Sequence, residues 1–165
     1  MITPEYLRTM AVYNAELNRR VYGAAGRLTD GVRRKDGGAF FRSIHGTLAH
    51  VLWADRVWLS RFGLGQRPDE PIRESSHYAG AFEELWSERQ AFDEKIVEWA
   101  ASMTPNDIEG DLEWFSGALQ ETIRKPRAVC LMQVFNHQTH HRGQVHALLT
   151  RAGEDPGATD LPFVL

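Results

Sequence analysis

Apolar side chains recur at three- and four-residue steps in four long stretches of this chain, the spacing that lines up one face of an α-helix. The first stretch carries Leu7, Met10, Ala11, Leu17, Val21 and Ala25 after Thr3-Pro4-Glu5. Thr3 can cap an orphan amide and proline suits the first helical turn, so the pattern predicts a helix from Pro4 to about Leu28, with Asp30-Gly31 as the following turn. The second, Ala39 to Phe62, places Phe41, Ile44, Leu48, Val51, Leu52, Asp55 and Leu59 on one face and stops at Gly63. The third runs from Ala81 to Met103 through Phe82, Leu85, Trp86, Phe92, Ile96 and Trp99, and Thr104-Pro105 ends it. Pro126 opens the fourth, which reaches about Arg151 on Val129, Leu131, Met132, Val134, Phe135, Val145, Leu148 and Leu149 and is closed by Gly153.

The connections differ in kind. Gly65 to Gly80 holds Pro68, Pro71 and several charges and reads as a loop crossing between the ends of a bundle. In Gly110 to Pro126, Leu112 and Trp114 stand before the turn pair Ser116-Gly117 and Leu119, Thr122 and Ile123 after it, which predicts a short hairpin or irregular lid. The tail ends in Asp160-Leu161-Pro162-Phe163-Val164-Leu165, too short for an element of its own and apolar enough to pack over the bundle or a partner subunit. Four amphipathic helices without repeats or low-complexity segments predict an all-α four-helix bundle in one domain over residues 1–165.

Composition narrows the function. A chain of 165 residues buries roughly 70% of its unfolded surface, so neither a disulfide nor a metal is needed merely to fold. Five tryptophans suggest a rigid aromatic core. With a net charge of −3 and basic residues scattered in short groups such as Arg19-Arg20, the chain lacks the basic stripe that nucleic acid requires. The single cysteine, Cys130, excludes an intrachain disulfide framework and a cysteine-rich zinc site and suits a reducing compartment. The first residues show no basic-then-apolar leader and no apolar run spans a membrane, which together give a cytoplasmic expectation.

The chemistry gathers in Asn136-His137-Gln138-Thr139-His140-His141-Arg142-Gly143-Gln144. At about 100° per residue, His137 and His141 lie about 40° apart and one turn apart, close enough to grip one ion. His140 lies about 60° to the other side of His137 and competes with His141 on geometry alone. A third ligand has to come from another helix. His146 is about 180° from His137, and His77 falls in the charged loop. His45 and His50 are about 140° apart on the second helix, so only one enters a given seam, and the small Ala49 and Ala54 near His50 favour it. Gln133 and Gln144 flank the histidine pair and are candidates to line a pocket. Cys130 is two turns from His137, too far for a shared ion, and reads as a buried inert thiol.

Two metal chemistries are disfavoured. His137-Gln138-Thr139-His140-His141 has the zincin spacing, but Gln138 stands where a glutamate would serve as general base. A di-iron bundle needs two Glu-x-x-His pairs, and Glu74 with His77, in the loop, is the one such pair.

The segments Leu48-Ala49-His50-Val51-Leu52-Trp53-Ala54-Asp55 with Trp58, and Val134 through Val145 around the histidines, resemble the DinB-like superfamily. That group includes metal hydrolases of the YfiT type, bacillithiol S-transferases and mycothiol-dependent maleylpyruvate isomerases. Tyr13-Asn14 with Asn18, and Asp160-Leu161-Pro162, extend the resemblance to both ends of the chain. It implies an up-down-down-up bundle, often a homodimer, with zinc or nickel on one histidine of the second helix and two of the last: His50, His137 and His141. The expected function is a metal-dependent enzyme with an open coordination position, acting on a small molecule as a hydrolase or as a transferase of a low-molecular-weight thiol. The alternative is a non-catalytic metal-binding stress or interaction protein. No general base stands out in the sequence.

Overall fold

Residues 1–117 and 119–165 are described by a computed structural model. Helix α1 spans Pro4–Gly26, with the Thr3 hydroxyl accepting the Tyr6 amide at its start. A short α2, Asp30–Arg34, follows where only a turn was expected, because Thr29 caps it and Asp30 pairs with Arg34 one turn on. Helix α3 is Ile44–Ser60 and α4 is Phe82–Ser102. A four-residue α5, Pro105–Ile108, is fixed by reciprocal bonds between Thr104 and Asp107. Strands β1, Asp111–Ser116, and β2, Glu121–Pro126, pair antiparallel with Trp114 opposite Ile123. They confirm the expected hairpin. Helix α6 is Arg127–Arg151, and α7, Leu161–Val164, is a single turn within the tail.

The second long helix starts five residues later than its apolar pattern suggested. Ala39 and Arg42 bridge across a tight turn, the Gly37 amide donates to the Arg42 carbonyl, and the Ser43 hydroxyl caps α3 by accepting the Gly46 amide. Phe41 therefore leaves the helix and serves the turn that precedes it. A Cβ at Gly37 would meet the end of the Leu148 side chain, which would have to move to admit it.

Four long helices, α1, α3, α4 and α6, enclose the main core of Leu7, Tyr22, Leu48, Leu52, Leu85, Ile96, Leu131, Phe135 and Leu149. Along α1 and α4, Arg8 reaches the Met103 carbonyl, Asn18 the Asp93 carboxylate, and Gly26 lies against Phe82 and Trp86. A Cβ at Gly26 would come within 3.0 Å of the Trp86 ring, so glycine allows that close approach. Along α1 and α6, Tyr6 meets Phe135, Asn18 meets Gln138 and Asn14 meets Arg142. Between α3 and α6, His50 meets His137, while the Phe62 ring just past α3 lies under Arg127. The tail folds back along α1 through Tyr13 to Thr159, Arg20 to Ala158 and Arg27 to Glu154. Of the five tryptophans only Trp53 is buried. Trp58, Trp86 and Trp99 sit at the rim of the core, and Arg61 is held between the rings of Trp58 and Trp114, tying the hairpin to α3.

A polar network crosses the interior. Arg89 on α4 is 1% exposed and holds Asp55 of α3 and Asp93 of its own helix, each at 2.6 Å. The Asn18 amide donates to Asp93 and to Gln138, and Gln138 accepts from Arg142, which also holds Asn14. Burial pushes the Asp55 carboxyl up to about 7, against the pull of Arg89. Burial alone would lower Arg89, but the two carboxylates hold its proton more firmly than usual. Because removing one member strands buried charge, Arg89→Ala is expected to lower unfolding free energy by about 3–5 kcal/mol in urea titrations. Exposed Arg73→Ala changes it by less than about 0.5 kcal/mol in the same experiment.

Candidate metal centre

Three imidazoles converge in the seam between α3 and α6. His50 comes from the middle of α3, and His137 and His141 come from successive turns of α6. One ring nitrogen from each lies within 4.8 Å of the others, and Nε2 of His50 is 3.2 Å from Nε2 of His137. Two zinc–nitrogen bonds of about 2.05 Å at a tetrahedral angle put their nitrogens about 3.3 Å apart, so this edge already has the span of a metal-bound pair. No fourth histidine, cysteine or carboxylate joins the group among the described residues.

The outer ring nitrogens explain the orientation. Nδ1 of His50 is 2.8 Å from the Ser75 hydroxyl, and Nδ1 of His141 is 2.8 Å from Oε1 of Gln144. A hydroxyl and an amide oxygen in these places can each accept an N–H from Nδ1, the tautomer that frees Nε2 to bind a metal ion. Nδ1 of His137 is buried without a partner. The His50 ring is stacked under Phe41, with centroids 3.7 Å apart and planes 20° from parallel, and Trp53 lies on it 6.0 Å away.

Burial keeps the imidazoles neutral. It pushes His50 down to about 3 and His137 down to about 4, and repulsion from neighbouring histidines adds to both shifts. His141 is lowered by burial too, with its bond to Gln144 acting the other way. Neutral imidazole is the state that binds a metal ion, so the donor set suits a divalent cation at pH 7.

Other histidines go elsewhere. His140 is exposed, beside His141 but outside the group. His45 is buried near Phe82, His77 is exposed, and His146 lines a cavity between α1 and α6 with Tyr13 and Arg142. Gln144 stands at the centre as the acceptor for His141, whereas Gln133 lines a shallow cavity with Tyr6, Met10 and Met132. Gln138 is fully buried in the polar network. Cys130 is buried, and burial pushes its thiol up. The residue that spacing could not find is Ser75. It belongs to the 3-10 turn Ile72–His77 inside the proline-containing loop, and only its complete burial sets it apart from Ser76.

The whole chain, residues 1–165, matches the DinB family. The chain belongs to this family. Among solved structures, this DinB-family chain is similar to a DinB-like protein from Bacillus cereus ATCC 10987, at 22% identity and a TM-score of 0.72, over 94% of this chain and 97% of that one. It is also similar to YfiT from Bacillus subtilis, at 17% identity and a TM-score of 0.66, over 94% and 92% of the two chains. YfiT is described as a probable metal-dependent hydrolase with an unusual four-helix bundle topology. These likenesses establish a four-helix-bundle fold. No curated protein matches the sequence. Among the described residues, no helix is long and apolar enough to cross a membrane.

The lowered histidines carry a pH signature. Above about pH 7.5 they are neutral in both folded and unfolded chains and contribute no pH dependence. Below it the unfolded chain takes up protons that folded His50 and His137 refuse until about pH 3 and 4, so stability falls with pH. Metal-free protein is expected to melt at a lower temperature at pH 5 than at pH 7.5, and His137→Phe to reduce that difference.

Proposed function

We propose that this protein is a metal-dependent enzyme acting on a small molecule, with His50, His137 and His141 holding one divalent ion, zinc or nickel. The observation that carries this reading is three neutral imidazoles from two helices within 4.8 Å, with no fourth protein donor in the group among the described residues. A divalent ion there supplies Lewis acidity and lowers the pKa of a water or thiol in the remaining position. That chemistry serves hydrolysis or transfer of a low-molecular-weight thiol, and the hydrolase assignment of YfiT points the same way.

The chain's own residues set the stage for this chemistry. Ser75 and Gln144 fix the tautomers of His50 and His141, which orients their Nε2 atoms and raises their basicity. Phe41 covers one face of His50 and shields it from solvent. The reading also takes residues 1–165 as one domain with the helices in up-down-down-up order. That order is supported by residue numbers that run oppositely where α1 meets α4 and α3 meets α6, and together where α1 meets α6. A second reading, in which the ion chiefly ties α3 to α6, is favoured by the position of the site across that seam.

Metal analysis of purified protein is expected to give one equivalent, lost in His50→Ala, His137→Ala and His141→Ala. Full occupancy in all three variants overturns the shared site. Ser75→Ala and Gln144→Ala are expected to weaken metal affinity about 10–100-fold in chelator competition. Metal-dependent turnover across a panel of esters, amides and thiols with electrophiles supports the enzyme. A higher melting temperature with metal and no turnover supports the cross-link.

A further inference from the structure

Gln144 stands between two histidines. Its Oε1 lies 2.8 Å from Nδ1 of His141, and its Nε2 lies 3.3 Å from Nε2 of His140. Among the described residues this amide has no other partner. The placement follows from the sequence, since His140 and His141 precede Gln144 by four and three residues and a helical side chain leans over the turn before its own Cα. The two rings meet edge-on, with centroids 4.9 Å apart and planes at 80°, so each turns a nitrogen to the same amide.

Donor and acceptor roles have to agree along this row. A neutral imidazole carries one N–H and one bare nitrogen, and a primary amide ends in one acceptor oxygen and one donor nitrogen. For His141 to offer a bare Nε2 to an ion, its hydrogen must sit on Nδ1, and the Gln144 oxygen must face it. The Gln144 nitrogen then faces His140 and can only donate, so Nε2 of His140 is bare and its hydrogen sits on Nδ1. Turned over, the amide would give the opposite set: Nε2–H of His140 on the oxygen, the amide N–H on Nδ1 of His141, and a hydrogen on Nε2 of His141 that shuts out the ion. Ser75 needs no such support, because a hydroxyl can rotate into the accepting role for His50 by itself.

We propose that His140 is a positioning residue for the metal centre. It anchors the far end of the Gln144 amide and so keeps the oxygen within reach of His141, and an ion bound at His141 fixes the tautomer of His140 although His140 does not touch the ion. The coupling to the ion rests on the three-histidine reading above; the anchoring of Gln144 does not. Adjacent histidines thus take different parts, His141 facing the centre and His140 holding the group that orients it. Exposure suits His140 to this part, since water meets its Nδ1–H and the ring needs no further protein partner. Water could also meet the Gln144 nitrogen directly, but it would leave the amide free to turn over, whereas a ring on the same helix holds one acceptor at a fixed height.

The test is imidazole nitrogen NMR on the full chain, metal-free and zinc-loaded, alongside chelator competition. With zinc bound, His140 is expected in the Nδ1–H form, and in zinc-loaded Gln144→Ala it is expected in a mixture of both tautomers. Stoichiometric zinc with His140 carrying its hydrogen on Nε2, or with the same tautomer in both proteins, overturns the coupling and leaves the three ligands standing. Wild type that binds no zinc overturns the metal reading and the coupling with it. The anchor is then read in metal-free protein, where His140→Phe, which keeps a ring without a nitrogen, is expected to shift the Gln144 side-chain amide signals and His140→Gln to restore them; unmoved signals overturn the anchor. In chelator competition His140→Phe is expected to weaken zinc binding about three- to tenfold, less than the roughly 10–100-fold of a direct partner, and His140→Gln, which keeps an acceptor, to return it to within about twofold of wild type. In a Gln144→Ala background His140→Phe is expected to cost nothing further. Equal losses in the Phe and Gln variants, or losses that add in the double variant, overturn the positioning role.

Discussion

The bundle is organised around one buried cation. Arg89 reaches from α4 to Asp55 on α3 and Asp93 on α4, and Asn18 carries the network to α1 and to Gln138 on α6. Two carboxylates, Asp55 and Asp93, are balanced by two guanidiniums, Arg89 and Arg142, away from solvent. Apolar faces can slide by a turn at modest cost, but these charged groups meet their partners in one register. That register sets the heights of α3 and α6. His50 stands five residues before Asp55, and His137 immediately precedes Gln138, so each of these helices anchors on the network with one side and offers histidine with another.

The candidate centre follows from this division of labour. Helices supply the imidazoles at heights the network determines, and side chains outside the core register refine their direction. Gln144 does so from one turn along α6, and Ser75 from the connection between α3 and α4. Exclusion of water then lowers His50 and His137 into the neutral form.

Much of this was legible along the chain. The four long helices show in their apolar periodicity, because each buries one stripe, and the hairpin shows in the interruption at Ser116-Gly117. The His137 and His141 pair is visible as a one-turn spacing, but preference over His140 needed the family resemblance, since both satisfy helical geometry. Asp55 was visible as a charge standing within an apolar stripe, without a sign of its partner: Arg89 lies 34 residues away on a helix whose other charges are largely exposed. The early end of periodicity at Phe41 was hidden because an aromatic packed by a turn looks the same as one packed by a helix. Ser75 carries no local pattern at all, for its role depends on which segments meet in three dimensions.

The place of Ser75 separates two kinds of change open to this fold. The three imidazoles sit on helices whose alignment the core enforces, while the group that orients His50 sits on a connection between two of the long helices. A substitution at Ser75 therefore reaches the electron density of one donor atom, while Tyr78 and the Glu70 carbonyl keep the connection seated on the helices. A lineage of such bundles can diversify its reactivity at this one position of a connection while the four long helices keep their packing.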